Sequence, residues 1–242
     1  MKGKTVIVTG ASGGIGGAIV SELLERGADV IGACRRPQRL PEHPRLRGLE
    51  LDLASFASVR RAAGMLEGER IYGIVSNAGI MPVRETVITA DGLERTYQVN
   101  YEATRMFAEL LLPQVQPGGV VVFTSSVARK VPRHIDDAPG RAARAADPWS
   151  RFVAYGRSKL LLWKLTQEMA PKLAERGIRV NCATPGVVDT GILSLGWPVV
   201  DRLADVFFRP FISTPRQGAK AALHALDSDE TGRLYAQSGV IG

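Results

Sequence analysis

Cysteine is nearly absent from this 242-residue chain: Cys34 and Cys182 are its two thiols, far apart and without metal-ligand spacing. That excludes a disulfide scaffold and a zinc site built on cysteine, and points to buried, reduced thiols in a cytoplasmic protein. No apolar run reaches the roughly 18 residues a membrane helix needs, and Met1-Lys2-Gly3-Lys4 leads directly into strand-like sequence with no cleavable signal, so no membrane span is expected. Acidic residues are outnumbered, giving a formal charge of +7. A basic balance alone speaks to solubility and weak attraction for polyanions, not to a dedicated surface, and nucleic acid is not expected as a partner. The arginines concentrate in two stretches, Arg35 to Arg47 and Arg129 to Arg151.

What the chain does have is a repeating alternation. Thr5-Val6-Ile7-Val8-Thr9 is a β-branched run ending in glycines, which reads as a strand buried on both faces. Ile15, Ile19, Leu23 and Leu24 recur at helical spacing up to Gly27, and Ala28 to Ala33 restores the strand pattern. Strands follow at Leu46–Leu51, Ile71–Ser76, Gly119–Thr124, Ile178–Ala183 and Arg233–Ala236. Helices are expected over Phe56–Leu66, Leu93–Leu112, Ala154–Leu173 and Pro215–Leu226. Because each parallel crossover needs a helix to return the chain, this order predicts a doubly wound α/β fold: a seven-stranded parallel sheet with helices on both faces. One domain spanning 1–242 is expected. The polar stretch at about 127–154 breaks the pattern and reads as an insertion. The apolar stretch at about 190–214 (Leu193, Leu195, Trp197, Phe207, Phe208, Phe211) reads as a substrate cover, or equally as core or dimer surface.

Thr9-Gly10-Ala11-Ser12-Gly13-Gly14-Ile15-Gly16 lies between the first strand and its helix. Glycines there allow a tight turn and close backbone approach to a pyrophosphate, whose charge suits the free N–H groups and dipole of a helix N-terminus. The second strand ends Cys34-Arg35-Arg36, where an acidic residue would bind the 2′-hydroxyl of NAD(H). A guanidinium instead offers paired donors to the 2′-phosphate of NADP(H), so Arg35, with Arg36, favours NADP(H) over NAD(H). Tyr155 and Lys159 stand one turn apart on a helix face, where an ammonium would stabilise a phenolate and lower its pKa toward the working pH. Such a phenol exchanges a proton with a carbonyl oxygen.

These segments, together with Asp52-Leu53, Asn77-Ala78-Gly79, Asn100, Ser125-Ser126 and Pro185-Gly186, resemble in kind and order the short-chain dehydrogenase/reductase family over nearly the whole chain. The resemblance implies a Rossmann-type fold and a homodimer or homotetramer. Gly10, Ser12, Gly13, Gly14, Ile15 and Gly16 would cradle the cofactor, Asp52 and Leu53 would lie beside its adenine, and Asn77, Ala78 and Gly79 would line it. Pro185, Gly186 and Val188 would flank the nicotinamide, and Thr190 would hold its carboxamide. Tyr155, Lys159, Ser126 and Asn100 would be catalytic: Tyr155 as proton donor, Lys159 on the ribose, Ser126 orienting the substrate carbonyl with Ser125 as the alternative, and Asn100 supporting a proton relay. The 29 positions from Ser126 to Tyr155 exceed the family's usual gap, and the extra segment resembles that of retinol-dehydrogenase-like members. The implied reaction interconverts a carbonyl and an alcohol on a hydrophobic small molecule, with no metal. A non-catalytic NADP(H) sensor and an epimerase or dehydratase of the extended type are the other readings.

Overall fold

The computed structural model describes residues 1–82, 86–132, 148–186 and 214–242, and of 148–150 the backbone alone. Val188 and Thr190, most of the 190–214 stretch and the middle of the 127–154 insertion lie outside these residues.

The alternation read from the sequence becomes β1 (Thr5–Thr9), α1 (Gly14–Glu25), β2 (Asp29–Cys34), β3 (Leu46–Glu50), α2 (Phe56–Gly64) and β4 (Ile71–Ser76). A helical stretch follows, made of α3 (Arg95–Tyr97), a π-helical turn (Gln98–Glu102) and α4 (Ala103–Leu111). After it come β5 (Val115–Thr124), α5 (Pro148–Ala174), β6 (Arg179–Ala183), α6 (Pro215–Asp227), β7 (Leu234–Ala236) and β8 (Gly239–Val240). The sheet runs β3-β2-β1-β4-β5-β6-β7-β8. Strands β1 to β7 pair in parallel, and only β8 is antiparallel. Strand order reverses between β1 and β4, so the carboxyl ends of these two neighbours bound the crevice where doubly wound sheets take their ligands.

Side chains alternate along each strand, and the two faces bury separate cores. Val6 and Val8 of β1, with Val120 and Val122 of β5, pack under α1 (Ile19, Leu23) and α6 (Ala222, Leu226). Ile7, Val121 and Phe123 turn the other way, onto α4 (Phe107, Leu111) and α5 (Leu162, Leu165, Met169). Each such side chain, taken fully out of water, contributes about 1.5–3 kcal/mol. Both cysteines are buried and unpaired.

The structure corrects the sequence reading at three places. Among the described residues the sheet has eight strands, because Gln237-Ser238 turns the chain into a two-residue return strand too short to show an alternating pattern. Helix α5 begins at Pro148, inside the stretch read as an insertion; the arginine-, alanine- and proline-rich sequence before it hides the start, although proline suits a first helical position. And Asn100 stands not in regular helix but in the π turn, an irregularity that composition does not announce.

Candidate active site

The glycine loop is built by close approach. Gly10 adopts φ +70, and its amide donates to the Ala33 carbonyl at 2.8 Å, tying the loop to the end of β2. A Cβ on Gly16 would stand 2.1 Å from the Gly10 carbonyl oxygen, so only glycine lets α1 start this near the loop. Gly14 also has positive φ, at +54. Gly13 differs: its backbone is extended and a Cβ there would meet nothing within 4 Å. Ser12 and Gly13 are exposed and Ile15 is half-buried. No side chain caps the start of α1 and no carboxylate lies in its first turn, which leaves free N–H groups and the positive end of the helix dipole facing the open space over Gly13. Glycine geometry, uncapped helix and open space fit a dinucleotide pyrophosphate.

Thr9 joins this loop to the other side of the crevice. Its buried hydroxyl accepts the amides of Asn77 and Ala78, both at 3.0 Å, while the Asn77 side chain donates to the Thr9 carbonyl at 3.0 Å. Arg35 and Arg36 follow β2, exposed and without an ion-pair partner among the described residues. Asp52 accepts the Ala54 amide at 2.9 Å, closing the turn that leads to Ser55, the α2 cap, and Leu53 is buried. At the far side of the crevice the Pro185 carbonyl accepts from Gln237 at 2.5 Å, and Gly186 has φ +78.

The catalytic candidates meet where β4, β5 and the π turn converge on α5. A Cβ on Gly79 would stand 3.0 Å from the Lys159 Nζ and 3.4 Å from the Asn100 Oδ1, which places the Asn77-Ala78-Gly79 turn against both. Asn100 is fully buried; it accepts the Ile80 amide at 2.8 Å and donates to the Ile80 carbonyl at 2.9 Å and to the Ser158 hydroxyl at 3.0 Å. Its side-chain amide is thus spent on holding the loop after β4 to α5. The Lys159 ammonium donates to the Thr124 carbonyl at 2.8 Å and lies 5.7 Å from the centre of the Tyr155 ring. The Ser126 hydroxyl, which accepts the Ala128 amide at 3.2 Å, lies close enough to the Tyr155 phenol to act on its pKa, whereas the Ser125 hydroxyl is buried and donates to the Lys159 carbonyl at 2.7 Å. Of the serine pair, Ser126 is the one beside the phenol. Gly156 makes this possible, since a Cβ there would come within 2.4 Å of the Ala128 carbonyl and hold α5 away from the turn after β5.

The electrostatics depart from the sequence expectation. Burial pushes Tyr155 above the ordinary phenol range, with Ser126 acting in the lowering direction. Burial likewise lowers Lys159 to about 8, against a raising influence from Cys182, and Cys182 itself is raised to about 11. In this state the lysine gives up its proton before the tyrosine, so the ammonium does not stabilise the phenolate as expected from their spacing.

Besides Gly156, sequence reasoning missed Ser158 and Gln237 as site-building residues. The helix-face pattern could have flagged Ser158, next to Lys159; nothing local marks Gln237. Among the described residues no cluster of histidine, cysteine or carboxylate side chains could hold a metal, and no helix is long and apolar enough to cross a membrane.

Fold and site together define a class: oxidoreductases that pass a hydride between a nicotinamide dinucleotide and a CH–OH or C=O group. Comparison with known proteins narrows it. Residues 4–136 and 142–195 match the family model for short chain dehydrogenase, and the chain belongs to that family. Retinol dehydrogenase 14 of Homo sapiens is 31% identical over 260 residues, covering 95% of this chain and 76% of that protein. Among solved structures, BdcA in complex with NADPH superposes with a TM-score of 0.75 at 25% identity, covering 98% of this chain and 93% of the other. The 3-ketoacyl-(acyl-carrier-protein) reductase from Brucella melitensis, complexed with NADH, superposes equally well (0.75) at 20% identity, covering 97% of this chain and 96% of the other; that likeness shows the fold alone. The chain is therefore an NAD(P)-dependent oxidoreductase acting on CH–OH/C=O groups.

Proposed function

We propose that this enzyme interconverts a lipophilic carbonyl compound and its alcohol with NADP(H), using Tyr155 as proton donor and acceptor, Lys159 and Ser126 as its partners, and Asn100 as the residue that holds their framework. The observation that carries this reading is the meeting of Ser126, Tyr155 and Lys159 at the crevice end that the Gly79 turn lines. The cofactor, when bound, supplies or receives the hydride. Ser126, beside the phenol, would donate to the substrate oxygen and steady its developing negative charge. Tyr155 would pass its proton to that oxygen in reduction and recover it in oxidation. Lys159, freed from the Thr124 carbonyl, would hold the ribose hydroxyls and orient the cofactor. Gly10, Ser12, Gly13, Gly14, Ile15, Gly16, Asp52, Leu53, Asn77, Ala78, Gly79, Pro185 and Gly186 would form the rest of the cofactor site, with Val188 and Thr190 beyond the described residues.

Preference for NADP(H) rests on Arg35 and Arg36, two exposed guanidinium groups at the end of β2 with no carboxylate partner among the described residues. The NADPH named for BdcA agrees with it. A lipophilic substrate rests on the apolar 190–214 sequence and on the activity named for the 31%-identical relative. The reduced, buried cysteines suit a cytoplasmic enzyme, and a homodimer or homotetramer is the assembly proposed, read by sedimentation.

The test is an NADPH-oxidation screen over aliphatic, aromatic and polyene carbonyls, retinal among them, followed by Tyr155→Phe on the best substrate. Loss of about a thousandfold in kcat with NADPH binding intact is expected; near-wild-type turnover would overturn the assignment. Replacing Arg35 by Asp should move the NADP/NAD preference by at least about tenfold toward NAD, the value of one charge-assisted contact. An unchanged ratio would make Arg35 an ordinary surface charge.

A further inference from the structure

The last residue of β5 and the two that follow it meet α5 at three consecutive points. The Thr124 carbonyl takes the Lys159 ammonium at 2.8 Å, the Ser125 hydroxyl donates to the Lys159 carbonyl at 2.7 Å, and Ser126 reaches the Tyr155 phenol. The two bonds to Lys159 hold opposite ends of one residue, its main chain and its side-chain tip, from neighbouring positions. Ser125 is itself fixed, since its amide donates to the Ala183 carbonyl of β6 at 2.7 Å, and the residue is 2% exposed. A carbonyl inside a helix already has its helical partner, so the Ser125 hydroxyl is not required to form α5; what it adds is registry between α5 and the strand end.

We propose that Ser125 is a positioning residue: its buried hydroxyl ties the main chain of Lys159 to the end of β5 and so fixes where the Lys159 ammonium stands between Tyr155 and the cofactor ribose, a role that rests on the oxidoreductase reading above. Asn100 and Ser158 provide the matching hold on Tyr155, because Ser158 accepts from Asn100 at 3.0 Å and donates to the Tyr155 carbonyl at 2.7 Å. Each of the two reactive side chains on α5 thus has its own main-chain carbonyl held by a buried serine. Without the Ser125 hydroxyl, α5 can slide against β5 at the lysine while the tyrosine stays held, and a misplacement of a fraction of an ångström between reacting groups is enough to slow transfer.

The experiment compares wild type, Ser125→Ala, Ser125→Thr, Ser126→Ala and Lys159→Met. It measures NADPH affinity by cofactor fluorescence, steady-state kinetics on the best carbonyl of the screen, and melting temperature. Ser125→Ala should weaken NADPH binding and lower kcat by about tenfold each, leave KM for the carbonyl within about twofold, and melt within a few degrees of wild type. Ser125→Thr, which keeps the hydroxyl, should restore both; if its methyl overfills the site and lowers the melting temperature, Ser125→Cys, a weaker donor of similar size, should restore them in part. Ser126→Ala should instead lower kcat on the carbonyl and leave NADPH affinity alone. Unchanged kcat and NADPH affinity in Ser125→Ala would overturn the proposal, and so would a well-folded Ser125→Thr that rescues nothing, or a rise in carbonyl KM as the main effect of Ser125→Ala. If Lys159→Met binds NADPH like wild type, the fault lies with the site assignment on which the proposal stands.

Discussion

Gly13 and Gly16 sit three residues apart in the same loop, and adding one methyl group to each should give opposite results. At Gly16 the new Cβ would lie 2.1 Å from the Gly10 carbonyl oxygen and 2.7 Å from the Asn77 side-chain nitrogen, where ordinary contact begins near 3.4 Å. Helix α1 would have to retreat by more than an ångström, and the Asn77 bond to the Thr9 carbonyl would be disturbed with it. Overpacking of this kind costs about 1–3 kcal/mol and a lost hydrogen bond about 1 kcal/mol. For a chain of this length the total lowers the melting temperature by roughly 5–15 °C. At Gly13 the backbone is extended and the Cβ meets nothing, so Gly13→Ala should melt within about 1 °C of wild type. Its methyl nevertheless enters the space in front of the uncapped α1 N-terminus, where a pyrophosphate would lie, and NADPH affinity should fall at least about tenfold. Scanning calorimetry of the ligand-free protein and a fluorescence titration with NADPH read the two effects separately. Wild-type affinity in Gly13→Ala would refute the placement of the phosphates, and an unchanged melting temperature in Gly16→Ala would refute the close approach of α1 to the loop.

Thr9→Val keeps the shape of a buried residue but removes the acceptor shared by the Asn77 and Ala78 amides. Chemical denaturation should show a loss of about 2–4 kcal/mol, and a loss below about 0.5 kcal/mol would mean those amides find another partner. Lys159 is held at about 8, below its ordinary value of 10.5, so between those two pH values the unfolded chain binds more protons than the folded one. Its destabilising contribution is therefore full below pH 8 and disappears as pH rises toward 10.5. Lys159→Met should be more stable than wild type at neutral pH, and the difference in urea midpoints should shrink across that window; a pH-independent difference would show that the lysine is not desolvated as described.

How much of this was legible in the sequence depends on whether the cause was local. The strands of the sheet centre are buried on both faces, so β1 is an unbroken β-branched run and β4 carries Ile71, Ile74 and Val75 around Tyr72 and Gly73, and the limits of both were readable to within a residue or so. The glycine loop was readable because tight turns and close approaches demand glycine, yet the text of the sequence could not say that Gly16 answers to the Gly10 carbonyl while Gly13 answers to empty space. Ser125 and Ser126 look alike in sequence. What separates them is that one hydroxyl ends beneath α5 and the other beside the Tyr155 ring, and that depends on residues 34 and 29 positions away. The same holds for Gln237 and Pro185, joined across 52 positions by the β7–β8 turn.

The pKa directions at Tyr155 and Lys159 carry this point into the chemistry. Spacing of four residues on a helix correctly put the two side chains within reach, and from that alone a lowered phenol pKa followed. Burial reverses the order: with Lys159 near 8 and Tyr155 raised, neither group is charged as catalysis would want at slightly alkaline pH. Hydrogen-bond acceptors brought to Nζ would favour the ammonium and raise the lysine's pKa, and a restored ammonium beside the ring would in turn lower the phenol's. The Thr124 carbonyl is the acceptor that Nζ holds in this structure, so the ribose hydroxyls of a bound dinucleotide would have to do better than it does. Cofactor binding would then be coupled to proton uptake at Lys159. Measured by calorimetry in buffers of different ionisation enthalpy near pH 8, NADPH binding should take up a fraction of a proton in the wild type and less in Lys159→Met; equal uptake in both would show that the lysine's charge is indifferent to the cofactor.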